Sequence, residues 1–409
     1  MKYGQGYYHM LLYLVIYFFF NGFLLPEGLL YTTILSPVLL YFLYKYRKSA
    51  PAPAWIVLLL IPIPFHWIQG VDPRTYLVSS GLVFTAAIFF FATILLLRRF
   101  HGDIPDLFKT VLIINAVFTG LALLILPIAP VRDWLWYTVP VSAGIEVWPR
   151  LKLFTYEPSY YSLIMVPMFI YFLFKVMFNR EKHPMLIVLA CIVPLILSLS
   201  FGVIGAILIA FFMTLVFYWK SLPVMFHRLF LFGGLITLIL LAGMMLTWSG
   251  NPIAVRLENI LQGKDTSAMG RLVYSFMFAK ELILQHNWLF GVGPGQIKIL
   301  AHDLIVNHYQ YHGVVAETVR IPNAMAELLG AYGLYGFLAK LFLEIFFFVK
   351  RKVYTNVFAF TLFIFLFIYQ FTGSFIVNVA ELGGWAVIFS TRFHEFELLG
   401  GWRKKEGIT

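Results

Sequence analysis

Basic residues in two polar segments of the chain have the chemistry to bind phosphate. The segments are about 129–158 and about 249–321, and they carry Arg150, Lys152, Arg256, Lys264, Arg271, Lys280, Lys298 and Arg320. The planar guanidinium of arginine binds phosphate oxygens through paired hydrogen bonds and stays charged at any working pH. We therefore expect an anionic ligand at Arg150, Arg271 and Arg320. A solvated charge or a contact with a lipid headgroup is the alternative for each residue, and it is the favoured explanation for the lysines.

A carboxylate stands among aromatic residues in WPRLKLFTYEPSYYS, residues 148–162. Glu157 precedes a proline at the start of a long apolar run, so one explanation is a helix cap that interacts with the helix N-terminus. The alternative is a general base that accepts a proton from a substrate hydroxyl. Tyr156, Tyr160 and Tyr161 would then offer rings to the faces of sugars. We take Glu157 as the first candidate for the catalytic base and Tyr160 as a candidate binding residue.

Three histidines in HDLIVNHYQYH, residues 302–312, form a further candidate set. His308 and His312 are one helical turn apart, which is a spacing that two metal ligands can share. No H-E-x-x-H pattern is present and no acidic pair completes the set, so a metal site is the weaker explanation. We expect His302, His308 and His312 to line a polar, tyrosine-rich surface that contacts sugars, or to lie in an exposed loop. They are second candidates for the base.

The glycine-rich stretch QHNWLFGVGPGQIK, residues 285–298, reads like a phosphate cradle. Gly291, Gly293 and Gly295 could turn backbone N–H groups toward an anion, but the Gly-Lys-Ser/Thr ending of a nucleotide-binding loop is missing. Glycine also permits the tight turns that other residues resist. We expect a turn here, and Arg271, at the start of the preceding helix, is the better candidate for phosphate binding.

These residues must be positioned by helices that cross a membrane. Of 409 residues 61% are hydrophobic, 19% aromatic and 12% charged, and the mean hydropathy is +0.85, a combination foreign to soluble domains. A bilayer core about 30 Å thick requires roughly 20 apolar residues per helix, and an open sheet cannot cross it. We predict an all-α polytopic membrane protein with about 12 transmembrane helices, in one membrane domain over 1–409. The predicted spans are 8–25, 28–44, 54–69, 76–97, 109–128, 159–178, 184–198, 201–218, 228–248, 322–349, 354–372 and 374–391; a re-entrant pair is the alternative for the seventh and eighth.

Clusters of Lys and Arg follow every second predicted span, at 45–48, 98–109, 179–182, 219–228, 350–352 and 403–405. Because positive residues mark the cytoplasmic side, both termini are expected there, and the segments 129–158 and 249–321 outside. Most of the net charge of +11 is explained by these cytoplasmic clusters, so a nucleic-acid partner is not expected. An outer site has no access to ATP or sugar nucleotides, whereas phosphates carried by lipids reach it.

The larger outer segment, 249–321 between spans nine and ten, is expected to contain helices. NPIAVRLENILQG begins with an asparagine cap and a proline in the first turn and stops at Gly263. SAMGRLVYSFMFAKELILQ carries apolar residues at helical spacing. Amphipathic helices of this length beside a membrane lie on its surface or cover a cavity.

A few ionisable residues fall inside predicted spans. Lys340 and Glu344 are four residues apart and are expected to pair, which is a common way to tolerate charge in a membrane helix. Glu327 has no evident partner and is a secondary functional candidate, because an unpaired carboxylate in a membrane is costly. Asn378 and Glu381 are weaker cases of the same kind.

Three segments resemble the O-antigen polymerase and O-antigen ligase superfamily. GRLVYSFMFAKELILQHNWLFGVGPGQ, residues 270–296, is similar to a pattern in which Gly-Arg starts an outer helix and a Gly-x-Gly turn follows. IPNAMAELLGAYGLYG, residues 321–336, resembles the family's asparagine-containing entry into the next span, and EPSYYS resembles the Glu-Pro-Ser segment of its polymerase members. The resemblance covers about 145 to 340.

The resemblance implies a GT-C-type glycosyltransferase on the outer face of a bacterial inner membrane. Its donor would be an undecaprenyl-diphosphate-linked oligosaccharide, used without a metal or another cofactor. Arg271 would bind the diphosphate, and Asn323 would lie beside the donor or acceptor path. A chain-length regulator and a flippase of the same pathway are the protein partners to consider, besides membrane lipids.

Two departures from the family pattern favour a polymerase over a ligase that uses lipid A core. Ligase-like members often carry a His before the asparagine, where this chain has Pro322, and an Arg after the Ser of the short mid-chain span, where it has Phe201. We expect a polymerase, with a ligase as the first alternative and a transporter of lipid-linked oligosaccharide as the second. The one-sided outer segments, the lack of repeats and the few charges inside spans argue against transport.

Overall fold

The computed structural model describes residues 5–26, 29–46, 58, 60–139, 148–224, 226–228, 252–310, 315 and 319–398, and these residues are mainly helical with almost no strand. Their helices are α1 (Gln5–Val15, continued by a π turn at Ile16–Phe20), α2 (Tyr31–Ile34), α3 (Ser36–Lys45), α4 (Ile63–Ile68), α5 (Pro73–Arg99), α6 (Ile104–Ile125), α7 (Ala129–Leu135), α8 (Pro158–Met177), α9 (Pro184–Leu197), α10 (Phe201–Tyr218), α11 (Pro252–Leu261), α12 (Thr266–Met269), α13 (Ser275–Gln285), α14 (Ile297–Leu300), α15 (His302–Tyr309), α16 (Ala324–Lys350), α17 (Val357–Tyr369) and α18 (Val379–Ser390). Short 3-10 turns lie at His101–Asp103, Val353–Thr355 and His394–Phe396, and a two-residue antiparallel pair joins β1 (Trp136–Tyr137) to β2 (Arg150–Leu151).

The structure is consistent with the predicted all-α membrane protein. Among the described residues, five helical stretches are long and apolar enough to cross a bilayer: α5, His101–Ile125, α8, α10 and α16. Four shorter apolar helices, Gly6–Phe20, α9, α17 and α18, coincide with further predicted spans. The predicted span 28–44 is divided into α2 and α3, and only the end of 54–69 is seen as a helix, in α4. The span 228–248 lies outside the described residues beyond Arg228, so the total of twelve stays a prediction.

The helices predicted within 249–321 are present. α11 ends two residues before Gly263, which has the positive φ of 69° expected of a helix-terminating glycine. The second predicted helix contains α12, a π turn at Gly270–Tyr274 and α13. Both stretches are where their capping signals predict them.

Asparagine and aspartate side chains start several of the helices. Asp72 accepts a hydrogen bond from the Thr75 N–H at the start of α5, and Asn323, Asn356 and Asn378 do the same for α16, α17 and α18. Each satisfies an N–H group that would otherwise lack a partner at the helix N-terminus. These four polar residues therefore help to fix where α5, α16, α17 and α18 begin.

α8 is the central helix of the main apolar core. In the most apolar stretch of α8, 83% of the residues are buried, whereas 17% are buried in the corresponding stretch of α16. It contacts α9, α17 and α18, and its buried rings include Tyr161, Tyr171 and Phe174. Because α8 is enclosed on all sides, its first residues have a fixed position at one edge of the core.

A second, smaller apolar cluster joins the outer segment to α16. It contains Phe278 and Leu282 of α13, Ile305 of α15 and Met325 of α16. Burial of this kind contributes about 1.5–3 kcal/mol for each fully buried large side chain. The outer segment is therefore packed onto the start of α16 by an apolar interface of its own.

α16 is interrupted in the middle, at Gly333, whose φ of 63° and ψ of −163° are not helical. A break of this kind leaves backbone groups unpaired, which is costly inside a membrane. Residues 287–296, here called the glycine loop, supply the missing partners. The four bonds are Val292 N–H to Gly330 O (3.0 Å), Gly293 N–H to Ala331 O (2.8 Å), Leu334 N–H to Trp288 O (3.0 Å) and Tyr335 N–H to Leu289 O (2.9 Å).

The glycines of this loop are required by contact distance as well as by φ. A Cβ on Gly291 would lie 2.5 Å from the Gly333 N atom, and one on Gly333 would lie 2.4 Å from the Leu289 O atom. Gly291, Gly293 and Gly295 all have positive φ. The expectation of a tight turn is confirmed, and the loop's N–H groups at Val292 and Gly293 are already bonded to α16.

Candidate functional site

A polar cavity of about 160 Å³ lies where the first turn of α8 meets the first turn of α10. Arg150, Glu157 and Arg271 all line it, although Arg271 is more than a hundred residues from the other two in the sequence. Ligand pockets for whole small molecules usually measure about 300–1,000 Å³. The cavity therefore has room for a phosphate or another small part of a substrate, and not for an oligosaccharide.

Arg271 is presented to the cavity by the π turn at Gly270–Tyr274. The Ser275 hydroxyl donates to the Gly270 carbonyl across 2.6 Å within that turn, and the Asn323 amide donates to the Arg271 carbonyl across 2.8 Å. The half-buried Arg271 guanidinium makes no hydrogen bond or ion pair with a described residue. π turns inside helices occur frequently at functional sites. The backbone of Arg271 is thus held firmly while its donors point to the cavity.

Glu157 stands directly before α8 in extended conformation, with φ −150° and ψ 156°. It occupies the cap position, but its side chain caps no backbone N–H group. One carboxylate oxygen instead accepts a hydrogen bond from the Ser159 hydroxyl at 2.5 Å. Glu157 therefore does not make the hydrogen bond that a helix cap would make. Its carboxylate is half-buried at the cavity wall.

Arg150 reaches the cavity from the β1–β2 pair. It is opposite Tyr137 in the strand register, and its guanidinium lies 5.0 Å from the centre of the Tyr137 ring. An arginine over an aromatic face gains a cation–π interaction and holds its orientation. Close by, burial lowers the pKa of Lys152, although the negative charge of Asp133 opposes that shift.

The N-terminus of α10 forms the opposite wall of the cavity, at Ser200, Phe201, Gly202 and Val203. No side chain caps this end. Among the described residues, no group accepts a hydrogen bond from the N–H of Gly202 or Val203. Free N–H groups at a helix N-terminus carry partial positive charge and attract anions. The wall adds to the positive potential of the two arginines.

Tyr369 and Ser267 line the cavity as well and were missed in the sequence. Tyr369 ends α17 inside an almost continuous apolar run, where nothing distinguishes it from a core residue. Its hydroxyl is close enough to Arg271 and Glu157 to interact electrostatically with both. No short motif connects the lining residues, because they come from four separate stretches of the chain, 137–159, 199–203, 267–271 and Tyr369.

The other predicted site residues do not line this cavity. Tyr160 is buried, and its hydroxyl accepts from the Asn21 amide at 3.0 Å. Tyr156 is 40% exposed, and its ring packs against that of Tyr160 at a tilt of 36°. Arg320 is exposed and lies 5.5 Å from the centre of the Phe375 ring. Tyr156, Tyr160 and Arg320 therefore do not contribute to the cavity wall.

The side-chain oxygen and nitrogen of Asn323 are both hydrogen-bonded within the protein. Its oxygen accepts from the Ala326 N–H at 3.0 Å, and its amide donates to the carbonyls of Arg271 and Phe371. The predicted substrate contact would require one of these bonds to break. The observed bonds give Asn323 a positioning role for Arg271.

The two described histidines of this set, His302 and His308, do not line the cavity. His308 contacts the rings of Tyr274, Phe278 and Tyr309, and His302 is 2.8 Å from an Asp303 oxygen. His312 lies outside the described residues. The described part of the chain contains no cluster of His, Cys, Asp or Glu able to hold a metal ion.

Charged residues inside the membrane are partnered. Lys340 lies 3.8 Å from a Glu344 oxygen, which confirms the predicted pair, and only 3.0 Å from a Glu381 oxygen. The carboxylate of Glu327 accepts from the Ile376 N–H at 2.9 Å, so the expectation that Glu327 lacks a partner is wrong. The partner follows α17 and could not be read from the sequence around Glu327.

No family model matches the chain, and no curated protein is significantly similar to it.

Proposed function

We propose that the protein is a polymerase of a bacterial surface polysaccharide, such as O-antigen. It would transfer a glycan from an undecaprenyl-diphosphate carrier to a second lipid-linked repeat unit on the outer face of the inner membrane. One observation carries the proposal: Arg150, Arg271 and the α10 N-terminus meet around the Glu157 carboxylate in one polar cavity. The resemblance of residues 145–340 to the polymerase and ligase superfamily supplies the reaction.

The proposed reaction is a single group transfer. The oxygen of an acceptor hydroxyl bonds to the anomeric carbon of the donor sugar, and the bond from that carbon to the diphosphate breaks. Glu157 takes the hydroxyl proton, and the polyprenyl diphosphate leaves with the bonding electron pair. Arg150, Arg271 and the α10 N–H groups offset the charge that develops on the diphosphate, which is effective in a site largely shielded from water.

The test is the product pattern of purified protein in detergent with undecaprenyl-diphosphate-linked repeat units as the only substrate. We expect a ladder of glycans on a gel for the wild type. Arg271→Ala should lower its rate of formation about 10²–10³-fold, the usual effect of losing one donor to a developing negative charge. Lys280→Ala is the matched control, because Lys280 is exposed on the next turns of the same segment and does not line the cavity.

The other reaction classes give different products in the same assay. Transfer that occurs only after a lipid A core acceptor is added would identify a ligase and contradict the polymerase. A ladder of equal intensity in Arg271→Ala would contradict the diphosphate role of Arg271.

A transporter of lipid-linked oligosaccharide is the second candidate. It is favoured by the three-charge cluster of Lys340, Glu344 and Glu381, because buried ionisable residues in membranes often mark transport pathways. Folded protein that forms no product with any acceptor, yet moves labelled lipid-linked oligosaccharide across vesicle membranes, would establish this alternative.

A further inference from the structure

A long groove lies between α5, α16 and α18. Its volume is about 580 Å³, which is in the range of pockets that bind whole ligands. α5 packs closely on α18, while α16 packs mainly on α13. Apolar side chains such as Phe90, Ile94 and Leu343 line most of the groove. A groove of this composition inside a bilayer would be filled by hydrocarbon chains.

One end of the groove is cationic. Arg98 from the last turn of α5 and Lys350 and Arg351 from the end of α16 all line it. The charges of Arg98 and Arg351 are close enough to repel each other. No carboxylate of a described residue forms an ion pair with any of these three. An anion placed between them would relieve the repulsion.

The carboxylates in the groove wall cannot serve as that anion. Glu344 and Glu381 are almost fully buried and lie beside Lys340. Glu344 is six residues before Lys350 in α16, or about 9 Å at about 1.5 Å per residue. Both carboxylates lie beside Lys340, and neither forms an ion pair with a residue of the cationic end.

We propose that this half of the groove binds an anionic phospholipid. Its phosphate lies between Arg98 and Arg351, and an acyl chain follows Leu343 toward Lys340. Basic pockets between membrane helices on the cytoplasmic side bind such headgroups. The orientation expected from the charge distribution places this end of the groove on that side. The site does not depend on the proposed polymerase activity.

The alternative is that the cations do no more than follow general rules for membrane helices. Lysine and arginine gather at cytoplasmic ends and favour helix C-termini. That explanation predicts that any positive residue on this side contributes equally and that the shape of the groove is irrelevant. Substitutions at two other kinds of residue distinguish the two explanations. One kind is cations elsewhere on the same side, and the other is small residues in the groove wall.

The test is lipid retention by the purified full chain, measured by native mass spectrometry after incubation with phosphatidylglycerol or with phosphatidylethanolamine of the same acyl chains. We expect preferential retention of phosphatidylglycerol by the wild type. Arg98→Gln/Arg351→Gln should weaken that retention about 30-fold, since each basic residue contributes about 1 kcal/mol near an anionic lipid. Arg180→Gln/Lys220→Gln removes two exposed positive charges that do not line the groove, and it should retain the lipid as the wild type does.

A third variant tests the groove itself. Ala339→Phe narrows its wall and leaves all three cations unchanged, so it should reduce retention of phosphatidylglycerol as well. Equal retention of the two lipids by the wild type would overturn the proposal. So would an equal loss in the Arg180→Gln/Lys220→Gln control. Gel filtration of each variant establishes that the chain is folded before the lipids are compared.

Discussion

At the scale of the residue, the function of Glu157 is the most direct question. Its carboxylate faces Arg271 and Tyr369 across the cavity and caps no helix N–H group. Glu157→Gln keeps the shape and the bond from Ser159 but removes the basic oxygen. We expect the turnover number to fall about 10²-fold or more, while the KM for the lipid-linked donor stays near the wild-type value.

The control for Glu157 is Glu281→Gln, the same isosteric change on α13 outside the cavity. It should leave turnover unchanged. A Glu157→Gln variant with normal turnover and a lowered melting temperature would make Glu157 a structural residue.

Asn323 offers a second prediction at this scale. Asn323→Ala should destabilise the protein by about 2–4 kcal/mol, because a helix cap is lost and two carbonyls lose their donor. It should also reduce turnover, since the Arg271 carbonyl is one of the two. The measurements are thermal unfolding in detergent and the ladder assay.

Asn356 is the matched residue for this experiment. It caps α17 through the Ala359 N–H at 3.0 Å and donates to the Phe393 carbonyl at 2.7 Å, but it has no bond to Arg271. Asn356→Ala should lower the melting temperature by a similar amount and leave turnover per folded molecule unchanged. Equal turnover in the two variants would show that Asn323 does not position Arg271.

At the scale of the element, the break in α16 and the glycine loop act together. Gly291→Ala places a Cβ 2.5 Å from the Gly333 N atom, at a residue with φ of 72°. We expect a loss of about 2–5 kcal/mol from the strained φ and the overpacking. Thermal unfolding in detergent measures it.

Gly81→Ala is the control for the loop. Gly81 lies within α5 with no neighbour within 4 Å of its added Cβ, so the change should be neutral or stabilising by up to about 1 kcal/mol. Equal melting temperatures for Gly291→Ala and Gly81→Ala would show that the loop does not approach α16 as closely as described.

At the scale of the whole molecule, the orientation in the membrane is open to a labelling experiment. The only cysteine, Cys191, is buried, so introduced cysteines can be labelled selectively. We expect Lys280→Cys to react with a membrane-impermeant maleimide in intact spheroplasts, and Arg180→Cys to react only after permeabilisation. The reverse pattern would place the polar cavity in the cytoplasm and exclude the proposed donor.

The sequence predicts the helices well because their signals are local. Apolar runs of bilayer length, capping asparagines and prolines at first turns all act over a few residues, and α5, α8 and α16 begin close to where they are expected. Arg150, Glu157 and Arg271 could be selected because their side chains have the required chemistry. That Arg271 shares one cavity with the other two could not be predicted, since its position there depends on packing between segments distant in sequence.

The features that were missed depend on long-range contacts. Tyr369 has no polar neighbour in its own helix, and the α10 N-terminus becomes part of the cavity only where it meets α8. The interruption at Gly333 is hidden in a continuous apolar pattern, because the loop that satisfies its backbone precedes it by some forty residues. Sequence periodicity reports which face of a helix is apolar, and it carries no information on a partner from another segment.

The bonds between the glycine loop and α16 also limit how this protein can be recombined. The carbonyls of Gly330 and Ala331 in α16 accept from Val292 and Gly293 of the glycine loop, so neither the loop nor α16 is a self-sufficient module. A chimera that exchanges the outer segment alone would insert α16 with unpaired backbone groups at membrane depth. An exchange of the outer segment between proteins must therefore include α16. The part that has to be exchanged together runs from α11 through α16.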